Sequence, residues 1–232
     1  MKESLYSRRS NLVIGFHGCD KSIVDKVLNG QEELIKSQND YDWLGHGIYF
    51  WENNETRALQ YAEEMVKRKK TTVKTPAVIG AIIDLGHCMD LTDSVYLDEL
   101  KDAYKAMEKS FELAGKEMPQ NEDVGSSTDK LLRRLDCAVI QAAHTINEEA
   151  GGMSYDSVKG VFWEGKPLYP NAGFAEKNHI QICVRNPNCI KGYFLPRKNA
   201  TEFQKPKQCI KSEKSVLSIS AQLPVSSFCF AT

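Results

Sequence analysis

No stretch of this 232-residue chain approaches the ~20 consecutive apolar residues that a membrane-spanning helix needs. The opening MKESLYSRRSNLVIGF also lacks the apolar core of a secretory leader, so a soluble, cytoplasmic protein with no membrane partner is expected. Seven cysteines stand at 19, 88, 137, 183, 189, 209 and 229, an odd number with no CxxC pair. That spacing suggests neither a disulfide framework nor a zinc site; reduced thiols are expected, and no metal is implied. There is no GxGxxG and no GxxxxGK[ST], so neither a Rossmann dinucleotide fold nor a P-loop phosphate site has a motif to stand on. The net charge is −1, which excludes a global basic field for nucleic acid or acidic lipid. Local charge differs. Arg197 to Lys214 carries six basic residues against two acids, and Lys67-Arg68-Lys69-Lys70 is a short basic run.

What is present is an ordinary globular composition, 41% hydrophobic and 26% charged. Asn11 to Phe16 is β-rich and is expected to stop at His17-Gly18-Cys19-Asp20, with Asp20 capping a helix from Lys21 to Leu28 that Asn29-Gly30 ends. Leu44 to Trp51 is a glycine turn feeding a strand, and Glu55 to Lys70 is an amphipathic helix with Ala58, Tyr61, Ala62 and Met65 on one face. Further strands are expected at Ala77–Leu85, Ser157–Trp163, His179–Val184 and Cys189–Leu195. Further helices fall in Leu91–Gly115 and Asp129–His144, with a turn-rich loop over Glu164–Asn178. The class is α+β, with one domain over residues 1–197 and a tail over 198–232 suited to binding a partner.

Three positions carry chemistry within this pattern. His17-Gly18 falls where the first strand is expected to end, and Tyr49 lies in the glycine-led strand. Gln181 interrupts an apolar run, and it would face solvent if its strand lay at a sheet edge.

In order and context these residues resemble the catalytic domain of the poly(ADP-ribose) polymerase and diphtheria-toxin class of ADP-ribosyltransferases. Leu44-Gly45-His46-Gly47-Ile48-Tyr49-Phe50 is similar to that family's second strand nearly residue for residue. The helix Arg57-Ala58-Leu59-Gln60-Tyr61 follows at about the family's distance. The resemblance covers residues 11–65 well and 157–195 loosely. It implies a split antiparallel sheet with flanking helices and NAD⁺ as substrate. His17 would then bond a ribose hydroxyl, and the Gly18 backbone would meet the carboxamide. Gly45 and Gly47 would keep the strand start bare, while Tyr49 and Tyr61 sandwich the nicotinamide ring. Ala58 departs from the family, which places a serine donor there. Gln181 stands where many members have glutamate. A neutral amide still bonds ribose but adds no charge, which favours transfer of a single ADP-ribose over polymer synthesis. Glu164 and Glu176, in the preceding loop, are alternative carboxylates, with Glu176 the better placed as a base beside the acceptor.

The resemblance therefore implies a mono-ADP-ribosyltransferase of toxin or defence type. Its acceptor would be nucleic acid, favoured slightly by the basic runs, or protein, and an antitoxin or regulatory protein is a further expected partner. An NAD⁺ glycohydrolase and an inactive NAD⁺-binding module are the alternatives.

Overall fold

The computed structural model describes residues 12–68, 71–124, 129–198, 200 and 201. The chain divides into two units, residues 1–196 and 197–232, and almost everything described belongs to the first. Most of the basic tail and the second half of the Lys67–Lys70 run lie outside the described residues.

The first unit opens with β1 (Leu12–Asp20) and α1 (Lys21–Leu28), followed by β2 (Ile48–Glu52), α2 (Glu55–Val66), β3 (Pro76–Asp84) and β4 (Cys88–Asp90). Next come α3 (Ser94–Leu113), the short strands β5 (Asn121–Glu122) and β6 (Leu132–Arg133), and α4 (Arg134–Glu149). β7 (Ser157–Phe162), β8 (His179–Val184) and β9 (Ile190–Phe194) complete it. Seven strands form one sheet in the order β4-β7-β8-β2-β1-β3-β9, and β5 pairs β6 separately. The α+β class therefore holds, but the sheet is mixed: β4 runs parallel to β7, while the other neighbours are antiparallel.

Local chemistry sets the helix starts. The Asp20 carboxylate accepts from Ser22 N and caps α1 as expected. Its second oxygen accepts from Lys74 N at 2.7 Å and Thr75 N at 2.8 Å, so one side chain ties α1 to the entry of β3. These backbone donors hold the Asp20 carboxyl well below the usual carboxylate range. Asn54 caps α2 through Arg57 N. α4 has no cap of its own. Asn121 Oδ1 accepts from Leu135 N and Asp136 N instead, which gives the small β5–β6 ribbon a purpose.

Side-chain alternation sorts the sheet into two faces. On one, Ile48, Phe50, Ile79, Ile83, Ile182 and Val184 pack against Val24 and Val27 of α1. On the other, Trp51 and Val78 meet Ala58 of α2, while Cys183 and Val158 meet Val139, Ile140 and Ala143 of α4.

β1 corrects one expectation. It does not stop before His17 but continues to Asp20, in register with β3 along its whole length. Its pairing with β2 is what stops: only Gly15↔Glu52 and Phe16↔Trp51 are in register.

Candidate functional site

His17, Tyr49 and Gln181 lie on β1, β2 and β8, three adjacent strands. Just past the last β1–β2 pair, His17 Nδ1 lies 2.7 Å from the Tyr49 carbonyl oxygen. A carbonyl only accepts, so Nδ1 carries the proton and Nε2 is a bare acceptor. Among the described residues the one hydrogen bond of the His17 ring is that of Nδ1. Burial lowers the imidazole pKa, partly opposed by the bond to Tyr49, so the ring is held neutral. His17 stands edge-on to Phe50 at 5.8 Å, and thus points to the sheet face opposite Tyr49 and Gln181.

The Tyr49 hydroxyl donates to Gly45 O at 2.6 Å and accepts from Leu44 N at 2.8 Å. The phenol thus fastens the glycine turn that precedes its own strand, and burial raises its pKa well above 10.0. Gly45 has φ +74, and a Cβ there would press on Gln141 of α4, which also accepts from His46 N. A side chain on Gly47 would strike Cys183 and Val184, and one on Gly18 would collide with the Ala58 carbonyl oxygen. At each of these glycines the protein itself fills the space a side chain would need, which is a packing reason for glycine.

Gln181 does not face solvent. β8 is interior, Gln181 sits in register between Trp51 on β2 and Gly160 on β7, and it is 8% exposed. No side-chain hydrogen bond joins it to a described residue, and its amide is not among the fully buried atoms left without a partner, so part of it meets solvent. Glu176 is exposed, and its carboxylate accepts from Lys166 N at 3.2 Å within the 164–178 loop. Glu164 is buried. Arg57 Nη2 donates to both its oxygens, at 2.9 and 2.8 Å. Lys177 lies 3.6 Å away and bridges onward to Glu64, so both ends of the loop are clamped to α2.

Tyr61 is not paired with Tyr49. Its described ring partner is Trp51, with centroids 4.9 Å apart, and Arg68 lies 5.7 Å over the ring. Trp51 is the residue missed from sequence: it lies two positions beyond Tyr49 on the same face, in register with Gln181. Arg57 was also missed, although its position four residues before Tyr61 places both on one side of α2. Around Trp51 several buried polar atoms have no partner among the described residues: its own Nε1, Arg57 Nε and Nη1, and His179 Nε2. Burial lowers the His179 pKa, and its Nδ1 donates to Lys177 O at 2.6 Å, so Nε2 is again a bare acceptor. A closed patch with three donors and one acceptor left over is uncommon in a native core.

No protein-family model matches the chain. It is 28% identical to an uncharacterized protein of Methanocaldococcus jannaschii, in an alignment covering 76% of this chain and 83% of that protein. Among the described residues, no helix is long and apolar enough to cross a membrane.

Proposed function

We propose that the chain is an NAD⁺-dependent mono-ADP-ribosyltransferase acting in the cytoplasm. The observation that carries this reading is the pairing of β2 with β8, which brings Tyr49, Trp51 and Gln181 to one face of the sheet, with Tyr61 of α2 against Trp51, while His17 stands on the adjacent strand β1 and faces the other side. His17 offers a neutral imidazole acceptor and Gln181 an amide, and the buried unpartnered donors of Trp51 and Arg57 lie beside Gln181. A ribose hydroxyl bonds the Gln181 amide, and the His17 imidazole accepts from a ligand group only on the other face of the sheet. Tyr49 and Tyr61 supply aromatic surface for the nicotinamide, with Trp51 beside Tyr61 adding to it. In the reaction the bond between C1′ of the ribose and the nicotinamide nitrogen breaks. Its electron pair neutralises the pyridinium, and an acceptor nucleophile bonds C1′ and gives up its proton. The acceptor is nucleic acid or protein, and a toxin restrained by an antitoxin or regulatory protein fits such an activity.

A second reading has an observation of its own. Glu164 is neutralised by Arg57, and Glu176 is turned to the loop backbone, so neither carboxylate is free to stabilise developing positive charge. That favours an NAD⁺-binding module without turnover, or a slow NAD⁺ glycohydrolase. Incubation with NAD⁺ labelled in the adenosine half, alongside separate DNA, RNA and protein pools, separates the three. Labelled macromolecule with released nicotinamide supports the transferase. Nicotinamide alone marks the glycohydrolase. Calorimetric binding without either product leaves the module, and absence of binding removes all three.

A further inference from the structure

A cleft of about 820 Å³ lies away from His17 and Tyr61, between α3, the start of α4 and the end of β7. That lies within the ~300–1,000 Å³ of small-molecule sites. α3 explains why it is there. Of twenty residues this helix fully buries only Ala103. Leu97, Leu100 and Tyr104 line the cleft at helical spacing; Leu100 and Tyr104 also pack against the core beneath it, while Leu97 is 43% exposed. Opposite them stand Val139 and Ile140 of α4, with Phe162 of β7. An apolar stripe left open along a helix is the kind of surface that marks a binding site.

The rim is charged, with one sign in excess. Lys101 and Lys105 line it from α3, and Arg133 lines it from β6, 4.3 Å over the Trp43 ring and 5.0 Å over Phe162. Asp136 is the single carboxylate in the lining, 3.4 Å from Arg133. Lys101 and Lys105 do pair with Asp98 and Asp102, but neither aspartate lines the cleft. Those two pairs are exposed and screened by solvent, so both ammonium groups are free to turn to an incoming anion. The interior, by contrast, offers few donors or acceptors to read the edge of a nucleobase.

We infer that this cleft binds a small amphipathic anion, an acyl-type apolar body carrying one carboxylate or phosphate at the Lys101–Lys105 rim. The chain or ring system lies between the α3 stripe and Val139, Ile140 and Phe162, and the head group replaces the two aspartates as partner of the lysines. This site is independent of the transferase reading.

Titration of the full chain with dansyl-undecanoic acid, followed by the blue shift of the dansyl emission, tests it. Saturable binding is expected, with dodecanoate and dodecyl phosphate both displacing the dye and uncharged dodecanol competing at least about tenfold less well. Whichever of dodecanoate and dodecyl phosphate competes better identifies the head group. Leu97→Glu, on the exposed side of α3, should weaken dye binding about tenfold or more, because it removes apolar contact and adds like charge. Ile35→Glu, at a position 89% exposed and outside the cleft, should leave it unchanged. Lys101→Glu with Lys105→Glu should erase the preference for dodecanoate over dodecanol. The inference is overturned if no dye binds, if dodecanol competes equally, or if Leu97→Glu binds as the wild type does. Displacement by NAD⁺ or by single-stranded RNA would also overturn it, assigning the cleft to the substrate of another site.

Discussion

The two faces of the sheet are built on different terms. The face under α1 is apolar apart from His17: Ile48, Phe50, Ile79, Ile83, Ile182 and Val184 are each at most 2% exposed, and hydrophobic side chains pack against them. The face under α2 and α4 buries Arg57, Glu164, His179 and Gln181 along with its hydrophobics, and leaves several of their polar atoms unpartnered among the described residues. The same strands serve both, since Phe50 and Trp51 are neighbours in β2. One face supplies stability, and the other accepts a folding cost that only a ligand or ordered water would relieve. Substitutions of the hydrophobic residues on the first face should therefore change stability without touching the contacts of Tyr49, Tyr61 and Gln181, and those on the second should change both or binding alone.

The largest effects test that division directly. Phe50→Ala should cost about 3–5 kcal/mol in chemical unfolding, from lost transfer energy and the cavity left behind. The folded fraction should still bind NAD⁺ through Tyr49, Tyr61 and Gln181 on the other face. Glu164→Leu should cost a similar ~3–5 kcal/mol, because it strands the buried Arg57 guanidinium without its carboxylate. Pairing it with Arg57→Met should recover most of that loss. If the double variant is no better than the single, the ion pair is not the reason the 164–178 loop stays in place.

Gln181 sharpens the comparison, since it is buried yet bonded to no described residue. Gln181→Ala should unfold within about 1 kcal/mol of wild type, there being no hydrogen bond to break. Its turnover should fall 10²–10³-fold, the usual cost of a lost donor at developing charge, roughly 3–4 kcal/mol. Gln181→Glu restores a carboxylate and should keep or raise NAD⁺ hydrolysis. A silent Gln181→Ala would move the ribose contact elsewhere on this face. Tyr49→Phe is expected to do the reverse. It frees Leu44 N and Gly45 O, so it should lose about 1–3 kcal/mol of stability while the ring still stacks and NAD⁺ affinity holds. Unchanged stability would mean that the turn is held by Gln141 and Cys183 alone.

Elements whose signals are local were legible in the sequence. Asp20 before an apolar-periodic segment and Asn29-Gly30 after it delimit α1 correctly, and HIQICV gave β8 at its true bounds. β4 falls between the expected strand Ala77–Leu85 and the expected helix Leu91–Gly115, where no element is expected because three residues, Cys88 to Asp90, carry no period; its strand character comes from pairing with Ser157–Lys159. The start of α4 was placed too early because its cap lies on another element, Asn121. The site divides the same way. His17, Tyr49 and Gln181 stand out by residue type and context. The Arg57–Glu164 pair joins positions far apart in sequence and has no local signature, and Trp51 reads as one more aromatic in a strand. Which neighbour a side chain meets is a tertiary fact, and this is where reading from the sequence stopped.

Acid provides the mildest test of the costly face, through His144 of α4. The side chain is 3% exposed, stands 5.7 Å from the Tyr155 ring, and has no partner for either nitrogen among the described residues. Burial, with the Arg185 charge adding to it, lowers its pKa from 6.5 to about 3. Because the folded value lies below the unfolded one, the unfolded chain binds the extra proton first as pH falls. The contribution of His144 is thus fully present above pH 6.5 and is lost between 6.5 and about 3, at up to about 1.4 kcal/mol per pH unit. His17 and His179, both with lowered pKa values, shift stability in the same direction. His144→Leu should remove its share. Neutral-pH stability should stay within about 1 kcal/mol, since an apolar group of similar size replaces one with no hydrogen bonds to lose. Urea midpoints measured from pH 7.5 down to pH 4.5 should therefore fall less steeply in the variant than in the wild type. Parallel slopes would show that His144 takes up its proton without unfolding α4, and the remaining acid sensitivity would then belong to His17 and His179.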